Sequence, residues 1–206
     1  WPPGSSPGVQ RWLKLSKYLS DLGWSVSVLT VKNGAYPAVD DSLLREVDDR
    51  IKVVQAPTLE PFTLFNLLRG KSGKKVGVGM ADLKEKQGLL SRVANLIRAN
   101  LFVPDARRGW SFFATQVARD WLKKEQISLV VTTGPPQSTH LIGKALKKKV
   151  AGLRWHADFR DPWVNVYYNE FLNRSSWAQA WDQRLEDAVL SAADSVSVIG
   201  RQMQLE

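Results

Sequence analysis

Two carboxylates and a guanidinium lie close together in residues 158–163, which read DFRDPW. The segment follows an apolar run typical of a buried strand, and its proline prevents a helix from continuing directly after Asp161. Charges at the end of a buried strand need partners or a function, because burying an isolated charge is costly. Two interpretations remain open and can hold together: Arg160 pairs with a carboxylate to fix the loop, and Asp158 or Asp161 faces a ligand. Two carboxylates without a third ligand do not predict a metal site.

A strand-to-helix turn at residues 132–140, TTGPPQSTH, is the second segment that can do chemistry. Its two prolines stiffen the turn, and Ser138 or Thr139 can cap the helix that follows. His140 then lies in the first helical turn, where it hydrogen-bonds a ligand, acts as a base or serves in packing. His156 falls inside a predicted buried strand, where a histidine is more often a hydrogen-bonded core residue than a catalytic one.

The third segment is the opening loop, residues 4–8 (GSSPG), which runs directly into a predicted helix. Backbone amides at a helix N-terminus can receive a phosphate or a carboxylate, and Arg11 is close enough in sequence to add a positive charge. The same composition is common in plain turns, and neither the P-loop pattern nor G-x-G-x-x-G is present. A phosphate-binding role for this loop therefore needs support from the rest of the chain.

Apolar periodicity alternates between short β-branched runs and longer helical stretches, and this alternation predicts an α/β fold. The expected strands are residues 24–31, 51–55, 128–133, 153–159 and 195–199, and the expected helices are residues 8–22, 115–125, 138–149 and 177–192. Such a chain forms a Rossmann-like parallel sheet with helices on both faces, because parallel pairing needs crossover connections. Ligands of these sheets bind at the carboxyl ends of the strands, where both polar segments are expected. The opening loop has the character of one that leaves a strand, so we expect a first strand to precede Trp1.

The composition is that of a globular chain, with 206 residues, no cysteine and a net charge of +9. This length predicts a single domain over residues 1–206, and the lack of cysteine excludes a disulfide framework, a zinc–thiolate site and a cysteine nucleophile. The positive charge has three interpretations: a lysine-rich surface exposed to solvent, binding to a nucleic acid, or binding to an anionic membrane. No nucleic-acid-binding pattern is present, so nucleic acid is not the expected partner. Residues 89–101 predict an amphipathic helix that either caps the core or lies in a membrane interface beside the lysines at 71–75.

Taken in order, the polar segments resemble the amino-terminal domain of a bacterial family 4 glycosyltransferase. The resemblance rests on residues 1–11 (WPPGSSPGVQR), 18–31, 104–110 (PDARRGW), 133–140 and 158–163, and it covers nearly the whole chain. It implies the first half of a GT-B fold, in which an acceptor-binding domain and a nucleotide-sugar-binding domain face each other across a cleft. Such enzymes transfer a sugar with retention of configuration, generally without a metal, from a nucleotide-sugar to a polysaccharide or lipid-linked acceptor.

The resemblance also implies roles for individual residues. The expected catalytic residues are Asp161, Asp158 and His140. The expected substrate-binding residues are Gly4, Ser5, Ser6, Gly8, Arg11, Asp105, Trp110, Gly134, Pro135, Ser138, Arg160 and Trp163. At one position in the predicted fourth strand, His156, similar proteins have an apolar residue.

The expected protein is therefore a cytoplasmic enzyme that works at the inner face of the plasma membrane. Its nucleotide-sugar would be bound by a second domain that this chain lacks, so the chain alone is expected to transfer no sugar. The alternative is a non-enzymatic basic module that binds an anionic membrane or RNA through its lysine and arginine clusters. A groove rimmed by the loops after residues 133 and 159 favours the transferase, and a flat basic face remote from them favours the module.

Overall fold

The computed structural model describes residues 1–34, 36, 38–58, 99–167, 169 and 174–205. Within these ranges the chain forms two compact units, residues 1–58 and residues 99–205. Both units combine parallel strands with helices, which confirms the predicted α/β class and its Rossmann-like character. The assignment of residues 1–206 to one domain stays a prediction.

The first unit is built from one long helix and a two-stranded parallel sheet. Helix α1 (Pro7–Asp21) begins with a proline, whose missing N–H would have no partner at that position anyway. Strands β1 (Ser27–Val31) and β2 (Lys52–Ala56) pair directly. A short 3-10 helix, Asp41–Glu46, lies between them in sequence.

The second unit is a parallel sheet of three strands in the order β3-β4-β5, with helices between the strands. Its elements are, in chain order, α2 (Arg108–Lys124), β3 (Leu129–Gly134), α3 (Ser138–Lys149), β4 (Arg154–Phe159), α4 (Ser176–Leu190), β5 (Ser195–Val198) and α5 (Arg201–Leu205). The central strand β4 contributes Trp155, Ala157 and Phe159 to the core. Because side chains alternate along a strand, His156 and Asp158 lie on the other face.

All five predicted strands and the four helices predicted among them are present; α3 has the predicted bounds, and the other elements have shifted ends. Strand β1 begins at Ser27 rather than at residue 24. Helix α2 begins at Arg108 rather than at residue 115. The Asp105 carboxylate accepts from the backbone N–H of Arg107 at 2.8 Å, and its carbonyl accepts from the N–H of Arg108 at 3.2 Å. These contacts hold the first turn of α2, and apolar periodicity gives no sign of them.

The predicted amphipathic helix at residues 89–101 and the lysine-rich loop at residues 71–75 lie largely outside the described residues. Of these positions only residues 99–101 are described, and they are helical. In the part of the chain that the structure describes, no helix has both the length and the apolar character that crossing a membrane requires.

Candidate functional site

Three segments that are distant in sequence meet at the carboxyl ends of β3 and β4. The backbone N–H of Arg160 donates to the carbonyl of Gly134 at 3.0 Å. The side-chain amide of Gln137 donates to the carbonyl of Asp161 at 3.3 Å. Asp105, from the segment before α2, bonds to the start of α3. The motifs before α2, after β3 and after β4 therefore form one site, held together by hydrogen bonds between their loops.

Asp105 caps the N-terminus of α3 through both of its carboxylate oxygens. One oxygen accepts from the backbone N–H of Ser138 at 2.7 Å, and the other accepts from the hydroxyl of Ser138 at 2.8 Å. A carboxylate at this position also complements the helix dipole. Burial is the largest influence on the Asp105 carboxyl and raises its pKa, while the bonds from Ser138 and Arg107 act in the opposite direction. Asp105 and Ser138, both predicted to bind substrate, thus bind each other in this structure.

Asp158 is a buried carboxylate on the central strand. It lies in register with Thr133 on β3 and with Ser197 on β5. The hydroxyl of Thr133 donates to one of its oxygens and the hydroxyl of Ser197 donates to the other, each at 2.8 Å. Asp158 therefore ties the three strands together at the position where a catalytic residue was predicted.

Arg160 is anchored to β3 and to the turn that follows it. Its Nε donates to the hydroxyl of Thr133 at 3.1 Å. Its Nη2 donates to the carbonyl of Pro135. The residue is half-buried. These contacts fix the plane of the guanidinium at the rim of the site.

Asp161 is the half-exposed carboxylate of the DFRDPW segment. Its backbone carbonyl is held by Gln137. Among the described residues, no hydrogen-bond donor contacts its carboxylate. Of the two aspartates in this segment, Asp161 is thus the one whose oxygens can meet a ligand.

His140 is a buried and neutral histidine beneath the site. Its side chain has no exposed surface, its ring stacks on Phe159 with centroids 4.3 Å apart, and it lies 6.1 Å from the ring of Trp163. Burial lowers the pKa of His140 to about 3; the carboxylate of Asp158 opposes this effect and Arg160 reinforces it. A pKa of about 3 is poorly matched to general acid–base catalysis near neutral pH.

The hydrogen bonds around His140 also indicate its tautomer. The indole N–H of Trp155 donates to Oγ1 of Thr132 at 2.9 Å, and this oxygen lies 2.8 Å from Nδ1 of His140. Nδ1 is the acceptor that the described residues offer to the hydroxyl hydrogen of Thr132, so the tautomer that pairs this hydrogen carries the ring hydrogen on Nε2. That Nε2 is buried and has no hydrogen-bond partner among the described residues.

Gln137 is a site residue that the sequence analysis missed. Its amide nitrogen donates to the carbonyls of Asp161 and Pro162. Its Oε1 is buried and has no hydrogen-bond partner in the described part of the chain. A Cβ at Gly134 would lie 2.3 Å from this Oε1 and 2.6 Å from Nε2 of His140. Only glycine leaves room for both side chains at this position. The sequence signal available for Gln137 was its position directly after two prolines and before a predicted helix.

Gly134→Ala is expected to destabilise the second unit by about 1–3 kcal/mol, the usual range for overpacking. The reason is that the new methyl group overlaps the side chains of Gln137 and His140. Urea unfolding followed by circular dichroism measures the change. Gly200→Ala is the matched control, because no described atom lies within 4 Å of a Cβ there, and it should be neutral. Equal stability of the two variants would contradict the packing described for Gly134.

Trp163, predicted to bind substrate, lies in the core and is only 2% exposed. Its indole N–H donates to Asp182 on α4 at 2.7 Å. Asp182 forms a buried ion pair with Arg174, and Arg174 donates to the carbonyl of Pro104 at 2.7 Å. This network joins the loop after β4 and the segment before α2 to helix α4. Neither Arg174 nor Asp182 was predicted from the sequence, although an aspartate on the buried face of α4 was a detectable signal.

The remaining predicted residues are a tryptophan on α2 and five residues of the first unit. Trp110 is half-buried in the first turn of α2, and its indole nitrogen has no hydrogen-bond partner among the described residues. The predicted phosphate-binding residues of the opening loop and α1 all belong to the first unit: Gly4, Ser5, Ser6, Gly8 and Arg11. Backbone bonds hold this loop, since Gly4 bridges to Val39 and the N–H of Ser5 donates to the carbonyl of Ala38 at 3.2 Å.

In the described ranges, no group of three or more His, Cys, Asp or Glu side chains is arranged to hold a metal ion. No protein-family model, curated protein or solved structure matches this chain. The function is therefore inferred from the chemistry of the site and from the sequence motifs that meet there.

Proposed function

We propose that this chain is the acceptor-binding half of a retaining GT-B glycosyltransferase similar to family 4. The observation that supports this most is the junction of the three motifs at one edge of the sheet, where Asp161 has an accessible carboxylate beside the anchored Arg160. This edge is where parallel α/β sheets bind ligands. A carboxylate that accepts and a guanidinium that donates suit the hydroxyl groups of a saccharide.

In this proposal Asp161 holds the acceptor hydroxyl that attacks the anomeric carbon. Fixing the direction of that hydroxyl supplies much of the acceleration in a reaction between two substrates. The new bond joins the acceptor oxygen to the anomeric carbon, the bond to the donor phosphate breaks, and the hydroxyl proton leaves with the phosphate. In this proposal Arg160, held by Thr133 and Pro135, stabilises the negative charge that develops on that phosphate.

The nucleotide-sugar donor in this proposal is bound by a second domain, and the acceptor is a polysaccharide or a lipid-linked saccharide. A position at the inner face of the plasma membrane would bring the site to a lipid-linked acceptor. In this scheme His140 and Asp158 are buried side chains that lie beneath the site and support it. Neutral His140 does not transfer a proton near neutral pH in this scheme, because its pKa is about 3.

The alternative, a basic module for anionic membranes or RNA, has less support. Lys147 belongs to the lysine cluster at the end of α3, and its ammonium donates to the Asp194 carboxylate at 2.6 Å and to the carbonyl of Leu153 at 2.8 Å. Part of that positive cluster is thus neutralised within the fold.

Binding and transfer assays on the chain test the proposal. The chain is expected to bind a saccharide or a polyprenyl-diphosphate-linked saccharide, detected by titration calorimetry. It is expected to turn over no nucleotide-sugar in the presence of such an acceptor, detected by chromatography of the labelled donor. Turnover by the chain alone would contradict its assignment as an acceptor half. Binding of RNA or anionic vesicles without binding of any saccharide would favour the basic module.

Asp161→Asn is expected to weaken acceptor binding by about tenfold or more, the effect of losing a hydrogen bond to a charged group. Its Tm should equal that of the unmodified chain, because no described residue bonds to this carboxylate. Asp120→Asn is the matched control, since Asp120 is exposed on α2 and is paired only with its neighbour Arg119 among the described residues. Unchanged binding together with a lower Tm would make Asp161 a structural residue.

A further inference from the structure

A ladder of polar side chains crosses the three strands of the second unit on the face opposite Trp155. Nδ1 of His156 lies 2.8 Å from the hydroxyl of Ser195, and its Nε2 lies 2.9 Å from the hydroxyl of Ser197. The hydroxyl of Ser197 is in turn 2.8 Å from Asp158. The ladder therefore runs from an exposed serine at the start of β5 to the buried carboxylate beneath the candidate site.

The hydrogen bonds in this ladder have one consistent direction. The hydroxyl of Ser197 gives its single hydrogen to the Asp158 carboxylate, so its oxygen accepts from His156. Nε2 of His156 must then carry a hydrogen. In the neutral ring, Nδ1 accepts from the hydroxyl of Ser195.

Asp158 is bracketed by two hydroxyls, and each hydroxyl receives a nitrogen donor. On one side, Nε2 of His156 donates to Ser197 at 2.9 Å. On the other side, Nε of Arg160 donates to Thr133 at 3.1 Å. Hydrogen bonds in such a chain polarise and orient one another, so loss of one donor loosens the whole bracket.

We propose that His156 is a positioning residue for Arg160. His156 orients Ser197, Ser197 orients Asp158, and Asp158 acts through Thr133 on the guanidinium at the rim of the site. An apolar side chain at position 156 would satisfy the packing of the strand but would supply no donor to Ser197. The role of Arg160 in binding rests on the proposed function, whereas the ladder and its effect on the guanidinium do not.

Nuclear magnetic resonance of the nitrogen-15-labelled chain tests this inference without an activity assay. The neutral ring of His156 is expected to show the Nε2–H tautomer. In His156→Val, the Nε–H of Arg160 is expected to exchange with solvent faster, by less than the roughly tenfold change that loss of its own hydrogen bond would give, because cooperative strengthening is about 10–30% per bond. His156→Gln, which returns an N–H donor near the position of Nε2, should restore slow exchange. Ser195→Ala is the control, since it removes only the contact at the exposed end.

An Nδ1–H tautomer in the unmodified chain would overturn the inference. Unchanged exchange at Arg160 in folded His156→Val would overturn it as well, because a purely structural histidine lowers stability without moving that signal. Ser197→Ala provides a second variant that breaks the same link, and it should accelerate the Arg160 exchange to a similar extent. A ladder that behaves as expected in a chain that binds no saccharide would reject the proposed function and leave the positioning role of His156 in place.

Discussion

Acidification from pH 6.5 to about 3 is expected to lower the free energy of unfolding of the second unit by about 5 kcal/mol through His140 alone. The folded-state pKa of this ring lies below its ordinary value of 6.5 because the ring is buried. Between these two pKa values, His140 is protonated in the unfolded chain but not in the folded chain, so acid favours unfolding. The loss begins near pH 6.5, proceeds at about 1.4 kcal/mol per pH unit and levels off near the folded-state pKa.

Comparison with His140→Asn isolates this contribution from other acid-sensitive groups. Asparagine keeps a polar atom near Nδ1 for the hydroxyl of Thr132 and has no titrating ring. The variant is expected to unfold more easily at pH 7, since it loses the stacking on Phe159. Below pH 6.5, the free energy of unfolding of the variant should nevertheless fall less steeply with decreasing pH. The two slopes should differ by about 1.4 kcal/mol per pH unit, the contribution of one proton. Equal slopes for the two chains in urea unfolding, or titration of the His140 ring above pH 5, would contradict a buried neutral histidine.

The strands of this fold could be predicted from local sequence because they are short apolar, β-branched runs with clear limits. The strand predicted at residues 128–133 is followed by a glycine and two prolines, and the observed β3 ends at this glycine, Gly134. The start of α2 could not be predicted in this way. Its first turn depends on contacts from Asp105, and such contacts are not visible in apolar periodicity.

The place of the site could also be predicted, because the polar loops follow β3 and β4 and parallel strands bring their carboxyl ends together. The separate roles of Asp158 and Asp161 could not. Asp158 is satisfied by Thr133 and Ser197, and these partners are known only once the register of three strands is known. The same holds for Trp163, whose burial depends on a carboxylate supplied by α4.

The carboxylates around the site divide into structural and accessible groups. Asp105 holds the start of α3, Asp158 holds three strands, and Asp182 holds Trp163 and Arg174. Asp161 stands outside these assignments and is half-exposed. A binding group that is placed by rigid, already satisfied neighbours needs little reorganisation when a ligand arrives. This arrangement supports the proposal that Asp161 binds a saccharide acceptor.

Arg174→Met is expected to destabilise the second unit by about 3–5 kcal/mol, the cost of leaving a buried charge without its partner. The side chains of Arg174 and Asp182 are 8% and 2% exposed. Methionine fills a similar volume but supplies neither the donor to Asp182 nor the donor to the carbonyl of Pro104. Urea unfolding at pH 7 measures the loss, and Arg174→Lys, which keeps the positive charge, should lose less.

The double variant Arg174→Met/Asp182→Asn is expected to recover a large part of this loss, because it removes the stranded charge while an amide oxygen still accepts from Trp163. Lower pH should also reduce the deficit of the single variant. Burial already raises the pKa of the Asp182 carboxyl, opposed by Trp163 and Arg174, and removal of the guanidinium raises it further. An acid with a raised folded-state pKa is destabilising in its charged form, so the deficit is present above that pKa and shrinks as the pH falls through it. Two results would show that the pair does not hold the loop after β4 against α4. One is that Arg174→Met is no less stable than Arg174→Lys. The other is that the stability lost in Arg174→Met is independent of pH and is not recovered by Asp182→Asn.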